Sequence, residues 1–123
     1  WYDKETGVLR CKRYHTAENP HNCALKDSLN ICKGKILDEE IMKGKKEADL
    51  VRIYIGDGGG DYCPLTRLTE SDFVFVRKYE KMRGLEKRIA KDDGIKLKCT
   101  VMTWKDGKEL LECFKKALPS IKF

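Results

Sequence analysis

The sequence predicts an α/β fold with a parallel sheet covered on both faces. Short apolar runs of strand length alternate with segments of helical period, and the middle runs have little polar face, as strands buried on both sides do. Only three such strands follow the first helix, few for a free-standing doubly wound sheet. The chain also opens on Trp1 and not on Met. It is therefore expected to be part of a larger fold, with residues 1–29 forming a strand and loop and residues 30–123 forming part of the sheet core.

Residues 7–14 alternate apolar and basic side chains, the pattern of a half-exposed strand. Residues 15–29 contain Pro20 and two Asn, have no period, and read as a loop. A helix is expected from Ser28 or Asn30, either a good N-cap, to about Lys46, with Ile36, Leu37, Ile41 and Met42 as its apolar stripe. Residues 50–55 read as a strand from the middle of a parallel sheet, running directly into Gly56-Asp57-Gly58-Gly59-Gly60-Asp61. Pro64 suits the first turn of a short helix reaching Leu68. Residues 73–76 form a second strand, and residues 79–91 a helix with Met82, Leu85 and Ile89 inward. Residues 95–104 form a third strand on the β propensity of Cys99, Val101 and the flanking Thr residues. Asp106 and Glu109 make a capping box for the last helix, whose Leu110, Leu111, Phe114 and Leu118 face the core before Pro119.

With 26 Lys and Arg against 20 Asp and Glu, the net charge is +6, which favours anionic partners in general. The basic residues come in short pairs mixed with acids, without the dense block or Arg-aromatic interleaving of a nucleic-acid platform, so nucleic acid is not an expected partner. No run approaches the ~18 apolar residues of a membrane span, and the first residues do not resemble a signal peptide. The six cysteines include no Cys-x-x-Cys pair, which argues against structural zinc; free thiols in a reducing, cytoplasmic compartment are expected.

Chemistry is expected between Arg52 and Pro64. Ligands of open α/β sheets sit beyond the carboxyl ends of the strands, where Asp57 stands, and three glycines let the backbone bring Asp61 back toward it. Two neighbouring carboxylates repel unless a cation lies between them, and Mg²⁺, which accepts one or two protein carboxylates, suits that place. The plainer reading is a glycine-rich turn with two solvated acids. Lys33 is a second anomaly: its stem lies on the apolar stripe, in the first turn where the helix dipole disfavours a cation. It either meets an anion, a phosphate or a carboxylate of the same site, or snorkels to water. His15 and His21 lie in the loop without a nucleophile at a recognisable spacing, and an ordinary exposed role is expected for both.

These residues carry a resemblance. Asn30-Ile31-Cys32-Lys33-Gly34-Lys35, followed by Ile53-Tyr54-Ile55-Gly56-Asp57-Gly58-Gly59-Gly60-Asp61-Tyr62-Cys63-Pro64, is similar to the third and fourth motifs of haloacid-dehalogenase-type phosphatases. It resembles the branch that contains phosphoethanolamine/phosphocholine and pyridoxal phosphate phosphatases. The resemblance implies the C-terminal part of a Rossmann-like core that hydrolyses a small phosphomonoester with Mg²⁺ through an aspartyl-phosphate. Asp57 and Asp61 would hold Mg²⁺ directly or through water, Lys33 would orient the nucleophile and neutralise phosphoryl oxygens, and Asn30 and Gly58 would contact substrate.

Two departures stand beside it. The family's Asp-x-Asp motif, which supplies nucleophile and general acid, occurs nowhere in the chain, and neither does its phosphate-binding Ser or Thr after another strand. The nucleophile is accordingly expected on an absent N-terminal half, with that half as partner, and the isolated chain is expected to be inactive. The alternative is a non-catalytic module that binds phosphate or a protein. A smaller departure is Val76, where relatives usually carry Pro.

Overall fold

A computed structural model describes residues 2–11, 13–25, 30–91 and 94–123. Its centre is a three-stranded parallel sheet of β3 (Ile53–Gly56), β4 (Phe73–Arg77) and β5 (Thr100–Trp104), in that spatial order. Register is set by pairs such as Ile53 with Phe73 and Val74 with Val101. Because side chains alternate across a strand, β4 sends Val74 and Val76 to one face and Phe73 and Phe75 to the other. The first face packs against Leu37, Tyr62, Leu65, Leu68, Leu85 and Cys99. The second packs against the last helix, α4 (Gly107–Ala117), through Cys113, Phe114 and Ala117. Both faces are covered, as the patterning of the apolar runs implies.

The first face is roofed by α1 (Lys33–Ile36), α2 (Tyr62–Leu65) and α3 (Gly84–Ala90). A hairpin of β1 (Tyr2–Asp3) and β2 (Val8–Leu9) precedes them. Among the described residues no helix is long and apolar enough to cross a membrane.

Several elements are shorter than the sequence implies, each for a local reason. The strand expected over 7–14 is only Val8–Leu9, both exposed, because its alternation meets no core; Lys12 lies outside the described residues. The long first helix starts at Lys33, capped by the Cys32 sulfur, which accepts from Lys35 N–H, and not by Asn30. Ser28, the other expected cap, lies outside the described residues. After one α-turn the helix widens into a π-turn (Leu37–Ile41), closed by Met42 N–H to the Leu37 carbonyl at 2.8 Å. That turn shifts the stripe: Leu37 is buried, Ile36 and Met42 half-buried, and Ile41 is turned out to solvent. Left-handed Gly44 (φ +71°) follows, short of Lys46.

Among the described residues β3 pairs with a strand on one side only, and Val51 and Ile55 are exposed there. The helix of 79–91 begins only at Gly84, so Met82 lies outside on the surface. The stretch before Thr100 forms no strand, although Leu97 and Cys99 reach the core. The capping box of α4 is present with a shift of one residue: Asp106 Oδ1 accepts from Glu109 N–H, and Glu109 Oε2 accepts from Lys105 N–H.

One buried charge network ties the start of the sheet together. Asp72, almost fully buried, accepts from Arg52 N–H, the Arg52 guanidinium, Thr69 N–H and the Thr69 hydroxyl. Burial alone would raise the Asp72 carboxyl, but these donors hold it below the ordinary value.

Candidate active site

The carboxyl end of β3 delivers the backbone through Asp57 and Gly58 into a 3-10 turn (Gly59–Asp61) that leads to α2. Gly56 is required at the strand end, since a Cβ there would lie 2.8 Å from Asp61 Cβ. With that space open, the Asp61 carboxylate folds back over the turn. Its Oδ2 accepts from Asp57 N–H at 3.1 Å and Gly58 N–H at 2.9 Å. Its Oδ1 accepts from the Tyr54 hydroxyl at 2.9 Å and from Lys33 Nζ at 2.5 Å.

Lys33 thus meets an anion, and the anion is Asp61. Its amine stays partly exposed at the first turn of α1 while the carboxylate is buried. Gly34 permits the approach: a Cβ there would lie 2.6 Å from Cys63 Sγ, so the start of α1 presses directly on α2. Burial would raise the Asp61 carboxyl, but Lys33, Gly58 N–H, Tyr54 and Asp57 N–H together hold it below its ordinary value. Tyr54 is pushed far above the usual phenol value, first by burial and then by its bond to Asp61.

Asp57 differs. It is exposed, and its Oδ2 accepts from the Tyr79 hydroxyl at 2.7 Å, with the Arg83 guanidinium 3.9 Å from the Tyr79 ring centroid. Its carbonyl accepts from Leu85 N–H at 2.9 Å, which fastens the loop to the start of α3. Gly84 makes this contact possible, with φ +59° and no room for a Cβ, which would stand 2.1 Å from the Asp57 oxygen.

The structure therefore brings Lys33 and Asp61 together and places Asp57 on the same turn, its carboxylate facing outward. The fit to Mg²⁺ is uneven and chemically sensible. An ionised carboxylate offers about four acceptor directions; those of Asp61 are taken by four donors, whereas Asp57 keeps Oδ1 without a hydrogen bond among the described residues. Asp57 suits direct ligation, and Asp61 suits a fixed negative charge or a contact through water. The Gly58 N–H is committed to Asp61, and Asn30 lends its carbonyl to His15 N–H at 3.1 Å.

Sequence reasoning missed Tyr54, Tyr79 and Gly84. Gly84 left a signal, because a glycine inside an apolar helical pattern marks a boundary or a close approach. The two tyrosines left none, since a hydroxyl on a strand or loop reveals its partner only in three dimensions. His15 also departs from the ordinary exposed role: it is 2% exposed, packed edge-on against Tyr14 and His21. Burial, followed by neighbouring His21, keeps it below the usual histidine value.

A family profile described as Putative Phosphatase matches residues 2–118. The chain belongs to this family. It is 38% identical over 109 residues to the thiamine phosphate phosphatase-like protein of Arabidopsis thaliana, covering 85% of this chain and 42% of that protein. It is 32% identical over 111 residues to inorganic pyrophosphatase 1 of the same plant, covering 89% of this chain and 36% of the relative. The pyridoxal phosphate phosphatase PHOSPHO2 of Mus musculus is 32% identical over 111 residues, 86% of this chain and 42% of its own length. The chain thus spans about two-fifths of the length of these relatives. No solved structure gives a significant match.

Proposed function

We propose that this chain supplies the cation-binding and charge-neutralising half of a phosphomonoesterase site of the haloacid-dehalogenase type. The observation that carries the reading is the Lys33–Asp61 pair beside outward-facing Asp57 at the carboxyl end of β3. Mg²⁺ held by Asp57 would supply positive charge to the phosphoryl oxygens, where negative charge accumulates in the transition state. The chain's own residues do the rest of this half. Asp61, fixed by two backbone N–H groups and Tyr54, keeps the Lys33 amine at the mouth of the site. Lys33, partly exposed and carrying three N–H donors, can turn one donor to Asp61 and another to a phosphate oxygen. Tyr79 restrains the Asp57 carboxylate through its hydroxyl.

No Asp-x-Asp occurs in the sequence, so the nucleophile and general acid belong to a further segment. The free edge of β3 supports that assignment. It has no strand partner among the described residues, and a largely apolar groove of about 420 Å³ lies there, lined by Lys33, Ile36, Leu37, Ile41, Ile53 and Tyr54. A parallel strand added at that edge would end beside Asp57 and Lys33. Names of relatives such as pyridoxal phosphate phosphatase and phosphoethanolamine/phosphocholine phosphatase support a small phosphate ester as substrate.

The test is hydrolysis of a panel of small phosphomonoesters with Mg²⁺, by this chain alone and by the chain joined to an upstream segment carrying Asp-x-Asp. The joined protein should turn over substrate, and Lys33→Ala or Asp57→Ala should abolish it. Turnover by the chain alone would overturn the division of labour. Full activity of the Asp57 variant would overturn the site.

A further inference from the structure

The cysteines, which show no metal-binding spacing along the sequence, converge in the fold. Cys23 Sγ and Cys32 Sγ each lie 3.5 Å from Cys63 Sγ, although Cys63 stands 40 and 31 residues away from them. His21 joins them: its ring nitrogen and the sulfurs of Cys23 and Cys32 all lie within 4.8 Å of one another. We propose that Cys23, Cys32, Cys63 and His21 form a structural zinc site that adjoins the acidic turn carrying Asp57 and Asp61 and uses none of its carboxylates.

The two sulfur distances to Cys63 fit the ion, and the ligand atoms of His21, Cys23 and Cys32 would close in from within 4.8 Å of one another. Tetrahedral zinc with bonds of about 2.3 Å to sulfur sets its sulfurs about 3.8 Å apart, so the observed spacing needs only a few tenths of an ångström of expansion. Three thiolates and one imidazole suit zinc and leave no position for substrate, as closed structural sites do. A cavity of about 10 Å³, about the room of one water, lies among His21, Cys23, Cys32 and Cys63, with Ile31, Lys33 and Gly60 completing its wall. Cys32 and Cys63 are buried, while His21 and Cys23 are half-buried at the mouth.

The backbone is shaped to the same end. Asn22, between the two loop ligands, has φ +51°, the left-handed conformation that Asn tolerates better than most residues, and it bends the His-x-Cys segment. Gly34 leaves room for Cys63 Sγ. Lys35 N–H donates to Cys32 Sγ at 3.4 Å, an outer partner that strengthens when the sulfur becomes a thiolate. His21 Nδ1 accepts from Cys23 N–H at 3.0 Å and would exchange that bond for the metal. Binding takes up one Zn²⁺ and releases one proton from each of the three thiols, with no change of oxidation state. The bound ion would pin the loop of 13–25 to Cys32, which precedes Lys33, and to Cys63, which follows Asp61 by two residues, so zinc would hold α1 and α2 in register.

The test uses the 123-residue chain expressed with zinc and purified under reducing conditions. Metal content by mass spectrometry should be one zinc per chain, unchanged in Cys11→Ser, whose exposed thiol lies outside the cluster. Cys23→Ser and His21→Ala should weaken zinc, measured by chelator competition, by more than the 10–100-fold typical of losing an outer partner. Alkylation mapped residue by residue should show zinc protecting Cys23, Cys32 and Cys63 but not Cys11, and Co²⁺ should give thiolate charge-transfer bands. Three results would each overturn the site: zinc as tight in Cys23→Ser as in the parent chain, protection spread alike over all six cysteines as in an unfolded chain, or a Cys23–Cys63 disulfide in place of the metal.

Discussion

Gly84→Ala tests how the Asp57 loop is fastened. Two costs separate cleanly because the chain contains its own control. Gly44 is also left-handed, at φ +71°, but a Cβ there meets nothing within 4 Å. Gly44→Ala should therefore show the left-handed penalty alone, about 1–2 kcal/mol. At Gly84 the same penalty applies, and the new Cβ would also stand 2.1 Å from the Asp57 carbonyl oxygen, a backbone atom that no rotamer change can clear. Either the Asp57 peptide or the start of α3 must move. That movement removes the 2.9 Å bond from Leu85 N–H, about 0.5–1.5 kcal/mol, and displaces fully buried Leu85, an overpacking cost of about 1–3 kcal/mol. The total is about 2.5–6.5 kcal/mol. Urea unfolding of the parent and both variants, compared at equal m-values, reads the difference directly. If Gly84→Ala and Gly44→Ala agree within about 0.5 kcal/mol, the fastening of Asp57 to α3 is wrong.

Asp72→Ala should destabilise the chain by about 1–3 kcal/mol, since it leaves the half-buried Arg52 guanidinium with exposed Glu47 as its remaining carboxylate; a loss below about 0.5 kcal/mol in chemical denaturation would contradict the network. Tyr54→Phe removes one donor from Asp61 and should cost about 0.5–1.5 kcal/mol. It should also raise the Asp61 carboxyl, as followed by ¹³C NMR titration, and an unchanged titration would mean that the hydroxyl does not reach it. Asp61 and Asp72 are both held below their unfolded value of about 3.9, so their contribution is complete above that value and lost as pH falls through the folded values. Stability should therefore drop on acidification, and Asp61→Asn should flatten the drop; an equally steep acid limb in that variant would contradict it.

The covering of both sheet faces was legible because the apolar run of β4 leaves neither face polar, and the apolar stripe of α4 was legible except at Leu111, which is 40% exposed. Lys33, Asp57 and Asp61 were legible for a related reason: a strand end, a glycine turn and a misplaced cation are each anomalies within a few residues. What failed were boundaries and long-range company. The π-turn at Leu37–Ile41 is a backbone hydrogen-bond shift that leaves the residue pattern helical, so Ile41 read as core although it faces solvent. Residues 50–55 carry the apolar faces of a central strand, but such faces do not say which neighbouring strand is present, and among the described residues only β4 pairs with β3. The Asp61 partners Tyr54 and Lys33 lie 7 and 28 residues away, and the sulfur cluster spans 40; such meetings depend on the completed fold.

The claim on which the functional account rests is that the turn after β3 binds a divalent cation through Asp57 beside the Lys33–Asp61 pair. A Mg²⁺ titration of the ¹⁵N-labelled chain followed by two-dimensional NMR measures this without requiring turnover. Saturable shifts are expected at Asp57 and Gly58, accompanied by Lys33, and they should vanish in Asp57→Asn while the spectrum elsewhere stays folded. Shifts that never saturate, or that persist unchanged in Asp57→Asn, would contradict it.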